Sequence, residues 1–443
     1  MKNDDLESKL IQKCINISCI EKGKINNHIM PFGWKNKITN WKDVLKYNLI
    51  NFNTKFEMVP AKIHLYNKIF DTHNESEKTN FYKKFSKIIN VSYRSNYKPQ
   101  INIKNNKQYT TDCGWGCMIR SSQMILCRGL YKIFKYNLKT NDDLTKIVVP
   151  FILDNYLNIN EKKYTGMDNY INKLKSFGKN DIVEIDPPFS IHKICILGEK
   201  FGRTCGEWFS DFELPKIYDK INRAFDVIPN LSIIHFSNLI ELKTILNRCF
   251  KEDNSNLINE NNINNYINND NNIINENSIT IEGKKYIMEK MGLIFVSNRL
   301  GIYSITSDYY PSIKNIFSCK ECIGFIGGKK NTNSASYFFG YYNNNLLYID
   351  PHRNNISVNQ LDDNNINSYI NKTLYKLKLT SLNAALTVGF LFRNFKEFND
   401  LLSFFRSIQK EKNYCFYYSE QMTSKDDKEL DAILNKMSSK DDF

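Results

Sequence analysis

No apolar run in this sequence approaches the ~18 residues that would suggest a membrane-spanning helix. Any membrane chemistry is therefore expected to be done from the soluble side. The N-terminus, Met-Lys-Asn-Asp-Asp-Leu-Glu, is too charged for a secretory leader. The eleven cysteines are odd in number and follow no disulfide-framework spacing, which points to reduced thiols and a cytoplasmic location. The net charge is +14, yet no run of five or six like charges occurs and no RNA-binding aromatic signature is present. The lysines are interleaved with Asp, Glu and Asn, so a solvated surface accounts for the surplus and no nucleic-acid partner is expected. Transient attraction to an anionic membrane face is compatible with it.

What is present centres on Tyr109-Thr-Thr-Asp-Cys-Gly-Trp-Gly-Cys-Met-Ile-Arg-Ser-Ser-Gln-Met124. Asp112, Gly114 and Gly116 read as a loop. From Met118 no Gly or Pro interrupts until Gly129, and Met124, Cys127 and Tyr131 recur at helical spacing. Cys117 is thus expected at or near a helix N-terminus, where free N–H groups and the dipole favour a thiolate. A nucleophile also needs a base, and a cysteine is more commonly a small buried hydrophobe.

Around this stretch the chain divides into three parts. Residues 1–57 read as an extension, ordered at best in part; within it Trp41-Lys-Asp-Val44 and Tyr47-Asn-Leu-Ile50 fit an aromatic-x-x-aliphatic pattern, one that arises easily by chance. Residues 58–417 carry the globular patterns, interrupted by an Asn-rich insertion at about 253–277. Residues 418–443 form a charged tail. Within the middle part, Ala61 to Phe70 predicts a strand or strand–turn. Phe81, Phe85 and Ile88 predict a helix capped at Thr79 or Asn80, and Asn141 to Leu157 another. Val91 to Tyr97 predicts an extended link, and Ile182 to Ile185 a strand. Ser190 is a candidate N-cap, and Leu293 to Val296 a buried strand. Ser336–Tyr342 and Leu346–Asp350 around Asn343-Asn344-Asn345 read as a hairpin, Leu386–Phe392 as a strand, and Phe398 to Ile408 as a closing helix.

Of six histidines, His352 stands out. It follows a strand as Tyr348-Ile-Asp-Pro-His352. Residues i and i+2 of extended chain share a side, and Pro351 keeps Asp350 extended. The carboxylate of Asp350 can then fix the imidazole, as a catalytic triad requires. The competing interpretation is a strand-end turn with a surface histidine.

These residues resemble a known family. Asp112-Cys-Gly-Trp-Gly-Cys-Met-Ile-Arg120 with Gln123-Met124 is similar to the signature of the autophagy-related cysteine proteases. So are Ser92-Tyr-Arg94, Ser190-Ile-His192, Gly206-Glu-Trp208, Gly324-Phe-Ile-Gly-Gly-Lys329, Tyr348-Ile-Asp-Pro-His352, Val388-Gly-Phe390 and Phe398-Asn-Asp400, in the family's order. The resemblance covers roughly residues 58 to 417 without the Asn-rich insertion. It implies an α+β, papain-like cysteine protease fold with a small inserted α/β subdomain. It implies no cofactor and no metal. The implied activity is cleavage after the C-terminal glycine of a ubiquitin-like autophagy modifier, and release of that modifier from phosphatidylethanolamine. It implies Cys117 as nucleophile, His352 as base then acid, Asp350 as its orienter, Tyr93 with the Cys117 N–H as oxyanion donors, and Trp208 as a wall over the cysteine. It also implies that Phe317 to Gly328 is a lid lifted by substrate; the family's Pro-Gln there is Lys320-Glu321 in this chain. The tail lacks the modifier-binding pattern that the family often carries.

Two other readings compete. Cys319-Lys-Glu-Cys322 is a C-x-x-C pair, which suits a thiol–disulfide switch or, with Cys113 and Cys117, a zinc site. A non-catalytic binder of the modifier would keep the same motifs without turnover.

Overall fold

The computed structural model describes residues 60–139, 143–154, 187–225, 227–253, 278–281, 284–330, 334–359, 361–371, 373–411 and 413–421. The two aromatic-x-x-aliphatic segments, the strand expected at 182–185, nearly all of the Asn-rich insertion and most of the charged tail lie outside them.

Among these residues the largest element is a mixed sheet. Its strands lie in the order Tyr375–Lys378, Asn345–Ile349, Ala335–Tyr342, Cys322–Lys329, Leu382–Phe392, Met291–Ser304 and Leu231–Ser237. Neighbours are antiparallel except the last pair, which is parallel. The hairpin Lys62–Leu65 and Lys68–Asp71 joins through Lys62–Leu65, which pairs with the end of Ala335–Tyr342.

Both faces of this sheet are covered, which explains the unbroken apolar runs. Leu293 and Phe295 enter one core while Ile294 and Val296 enter the other. The first core holds the long helix Cys117–Leu138. The second holds the closing helix Phe395–Ile408, whose Phe398, Leu401, Leu402, Phe405 and Ile408 are buried. Gly389 sets how closely the long helix lies on the sheet. A Cβ there would come within 2.8 Å of both Ile125 and Ile323, whereas one on Gly129 would meet Leu293 at an ordinary contact distance of 3.4 Å. A smaller α/β unit follows: helix Leu242–Cys249 leads into the three-stranded sheet of Phe250–Glu252, Lys284–Met288 and Ser278–Ile281. Phe250 packs on Phe398 of the closing helix at 4.7 Å between rings.

Most predicted elements are found where expected, including the Asn343 hairpin, with Asn343 at φ 51°, and the Ser190 cap, which accepts the Lys193 N–H. Three differ. The first helix runs Glu75–Phe85, capped by Asn74, which accepts the Ser76 and Glu77 N–H groups; its first turn is polar, so the apolar spacing starts a turn late. Within 143–154 the expected long helix is one turn, Thr145–Val148, followed by a 3₁₀ turn, Val149–Ile152. Pro150, without an N–H, cannot continue an α-helical ladder. The third difference concerns Phe317 to Gly328, expected as a lid. Phe317 is buried at the end of helix Tyr310–Ile316, and Cys322–Lys329 is an inner strand bonded on both edges. Ile323 and Ile326 enter one core and Phe325 the other. Lifting this segment would break the sheet.

Gly340 tests the edge hairpin. A Cβ there would lie 2.1 Å from the His64 carbonyl oxygen, a backbone atom that cannot step aside alone. Gly340→Ala is expected to destabilise the protein by about 1–3 kcal/mol, read from denaturant midpoints. Gly327→Ala, whose Cβ would have no neighbour nearer than 3.5 Å, should stay within about 0.5 kcal/mol of wild type.

Candidate active site

Cys117 is the first residue of its 22-residue helix, with Gly116 as the N-cap. The preceding loop is a tight turn in which the Gly116 N–H donates to the Asp112 carbonyl at 2.8 Å. The Asp112 side chain is fully buried. Its Oδ1 accepts the Arg94 N–H at 2.6 Å and its Oδ2 accepts Arg120 Nε at 2.7 Å. Arg120 also pairs with Asp154 at 2.8 Å and donates to Gln123 Oε1 at 3.1 Å. Burial opposes the Arg120 charge, but the two carboxylates hold it protonated. A Cβ on Gly116 would fall 2.4 Å from Asp112 Oδ2, so the carboxylate occupies the space any larger residue would need.

His352 arrives from the other side. Strand Asn345–Ile349 ends at Asp350, whose Oδ1 lies 2.5 Å from His352 Nδ1 and accepts the His352 N–H at 2.9 Å. Nδ1 thus carries its proton toward the carboxylate, leaving the other ring nitrogen for Cys117, with which His352 is hydrogen-bonded. Tyr93 completes the group. Its N–H donates to the Pro351 carbonyl at 2.8 Å, and its strand, Tyr93–Ile101, runs parallel to Asn354–Ile356. Its ring meets His352 edge-on at 5.3 Å, and its hydroxyl is hydrogen-bonded to Cys117. The extended link expected at Val91 to Tyr97 is the start of this strand.

Electrostatics follow from these contacts. Burial alone would push the Cys117 thiol up, but the hydrogen bond and charge of His352, the Ala335 N–H and the Tyr93 hydroxyl outweigh it and lower it below the ordinary thiol value. Burial would likewise push His352 down; the Asp350 charge and hydrogen bond, with help from Cys117, raise it instead to about 9. Asp350 is buried, yet the charges of Lys329 and His352 hold it far below the usual carboxylate range. Burial, together with the neighbouring Cys117 and Asp112, keeps the Tyr93 hydroxyl protonated and able to donate.

Trp208 is 56 % exposed, so it is not a core anchor; its indole N–H donates to the Gly114 carbonyl at 2.8 Å, on the loop that delivers Cys117. The other described histidines have different environments. His192 is buried with Nε2 3.0 Å from the Lys98 carbonyl, His235 meets the Ser297 hydroxyl at 3.0 Å, His64 stacks on Tyr341, and His73 pairs with Asp71 at the surface. Cys319 and Cys322 are buried, and burial drives both thiols up, Cys322 to about 12. Both side chains belong to the second core. No group of three or more potential metal ligands occurs among the described residues.

Sequence reasoning missed Asp154 and Lys329. Asp154 lies 34 positions from Arg120 with no spacing cue. Lys329 closes a quoted motif, but nothing in that motif shows that its ammonium reaches Asp350 Oδ2 at 2.5 Å.

Residues 78–404, which include all of these positions, match the Peptidase C54 catalytic domain. The chain is 25% identical over 300 residues to cysteine protease ATG4B of Gallus gallus, covering 66% of this chain and 68% of the relative. It is 23% identical over 405 residues to cysteine protease ATG4D of Xenopus laevis, covering 85% and 79%. With cysteine protease ATG4B of Oryza sativa subsp. indica the identity is 24% over 343 residues, covering 75% and 62%. The α+β fold, with its cysteine-bearing helix laid against a sheet, is the papain-like arrangement of such enzymes. The chain therefore belongs to the Peptidase C54 family, the autophagy-related cysteine proteases.

Proposed function

We propose that this cysteine protease cleaves after the C-terminal glycine of a ubiquitin-like autophagy modifier, exposing that glycine for lipid conjugation, and that it also releases the modifier from phosphatidylethanolamine. The observation that carries the reading is the hydrogen-bonded series Cys117–His352–Asp350, with the thiol lowered and the imidazole raised. The work would be done by a protease domain of residues 58–417, in the cytoplasm, with transient contact at the membrane surface when the lipid-linked form is the substrate.

In this reading the Cys117 thiolate attacks the glycine carbonyl carbon. The Cys117 N–H and the Tyr93 hydroxyl donate to the oxyanion. The tetrahedral intermediate collapses to a thioester as the His352 imidazolium gives its proton to the departing amine, which is a peptide N-terminus or the ethanolamine nitrogen. Neutral His352 then takes a proton from water, the hydroxide displaces the thiol, and the glycine carboxylate leaves. Asp350 keeps Nδ1 protonated throughout. A glycine tail suits a narrow passage, and half-exposed Trp208, tied to Gly114, supports a role as its wall.

Three outcomes are expected. A modifier extended beyond its glycine should be cut after that glycine by wild type and not by Cys117→Ala; equal cutting by both would discard Cys117 as nucleophile, and binding without cutting would favour a non-catalytic binder. Tyr93→Phe should lower kcat by about 10²- to 10³-fold. The pH profile of kcat/KM should be a bell. The reactive ion pair forms as pH rises through the lowered thiol value, giving an acid limb below the ordinary thiol range. It is lost as His352 gives up its proton, giving an alkaline limb near about 9. These limbs belong to the coupled pair.

A further inference from the structure

Cys117 and Asp350 are shielded from water, and the His352 side chain is 20 % exposed. Cys117 is 8 % exposed and Asp350 3 %. In its active form the site holds a thiolate, an imidazolium and a carboxylate, two negative charges against one positive. A buried excess charge is costly, and it would be felt most by the thiolate, the group that must ionise. The charged groups in contact with the Asp350 carboxylate are His352 at Oδ1 and Lys329 at Oδ2, each at 2.5 Å. Lys329 comes from the end of the inner strand Cys322–Lys329, a different element from the one that carries Asp350 and His352. Its ammonium lies 4.6 Å from the centroid of the Tyr348 ring, which stands on the strand leading to Asp350. The Lys329 side chain is 9 % exposed and that of Asp350 is 0 % exposed. Tyr93 and the Ala335 N–H face the thiol itself and add dipoles rather than charge.

We propose that Lys329 is a positioning residue of this catalytic centre: its ammonium clamps the outer oxygen of Asp350, so that the inner oxygen stays on His352, and it supplies the fourth charge that makes the buried thiolate–imidazolium–carboxylate group neutral. The inference rests on Cys117, His352 and Asp350 acting as read above. It separates two contributions of Lys329. The hydrogen bond holds the carboxylate plane. The charge balances the thiolate and opposes the imidazolium.

The signs follow from Coulomb's law. Removing a positive charge makes the thiolate harder to form, so the acid limb moves to higher pH. It also makes the imidazolium harder to deprotonate, so the alkaline limb moves up as well. A merely structural role would lower the amplitude and leave both limbs in place.

The test uses iodoacetamide, with modification of Cys117 followed by mass spectrometry against pH, in the full chain, alongside kcat and KM for cleavage of the extended modifier. Lys329→Met should move both limbs upward by about half a unit to one unit and lower kcat about tenfold or more, with KM little changed. Lys329→Gln, which keeps a hydrogen-bond donor without charge, should show the same limb shift with a smaller loss of kcat, and remains informative if the Met variant does not fold. Lys329→Arg should return the limbs toward wild type. Unmoved limbs in both Lys329→Met and Lys329→Gln, or limbs moving in opposite directions, would overturn the inference. Slow alkylation of Cys117 at neutral pH in the wild-type protein would instead overturn the reading of the site on which it rests.

Discussion

The Asp112–Arg120 bond fixes the position of Cys117. Arg120 lies one turn inside the helix and Asp112 five residues before it, so a 2.7 Å contact between them folds the loop back over the helix start. Gly116 is required because the carboxylate fills the place of its Cβ. The same carboxylate takes the Arg94 N–H, one residue from Tyr93. Arg94 then sends its guanidinium to the Ile356 carbonyl and the Ser368 hydroxyl, beyond His352, and lies over the Tyr369 ring. One buried carboxylate thus joins the helix of Cys117 to the strand of Tyr93, and through it to the segment that follows His352. Such a buried network need not add net stability against a well-packed apolar replacement, but removing a single partner would leave an unpaired buried charge, at roughly 3–5 kcal/mol. Its value here is geometric.

The sheet supplies the remaining constraint. Cys117 is delivered by a helix lying on one face, His352 by the end of a strand within it. Their separation therefore depends on how closely the helix approaches the sheet, and Gly389 sets that approach. Both faces being covered, the strands have little freedom to slide, and the registers on either side of Cys322–Lys329 hold Lys329 and Ala335 near the strand that ends at Asp350.

How legible this was in the sequence depends on range. The C-G-W-G-C turn and the helix after it are local, so the position of Cys117 at a helix start could be read from glycine placement and apolar spacing. Asp350 and His352 share a side because extended chain alternates, again a local rule. The partnership between Tyr93, Cys117 and His352 spans 259 positions from Tyr93 to His352; only resemblance suggested it, because no periodicity links such distant residues. Lys329 and Asp154 stayed hidden for the same reason. The cap at Asn74 was missed because the helix opens with a polar turn that the apolar pattern does not register. Phe317 to Gly328 was misjudged as a lid because resemblance alone suggested it; Cys322–Lys329 is an inner strand whose Ile323 and Ile326 enter one core and Phe325 the other.

Thiol chemistry separates context from burial. Cys117, Cys319 and Cys322 are all buried, and all three lie in C-x₂-C or C-x₃-C spacings that invite a redox or metal reading. Cys127, Cys249 and Cys415 are buried as well. Burial raises every one of them, Cys249 and Cys415 to about 12. Cys117 feels the same penalty and still moves the other way. A helix N-terminus alone does not account for this, since the dipole is worth about 0.3–1 kcal/mol at an ordinary site. The difference is a charged hydrogen-bond partner, itself held charged by a carboxylate. The Cys117 thiol is lowered here through the company of His352, and His352 can provide it because Asp350 stays ionised in a place where an isolated carboxylate would take up a proton.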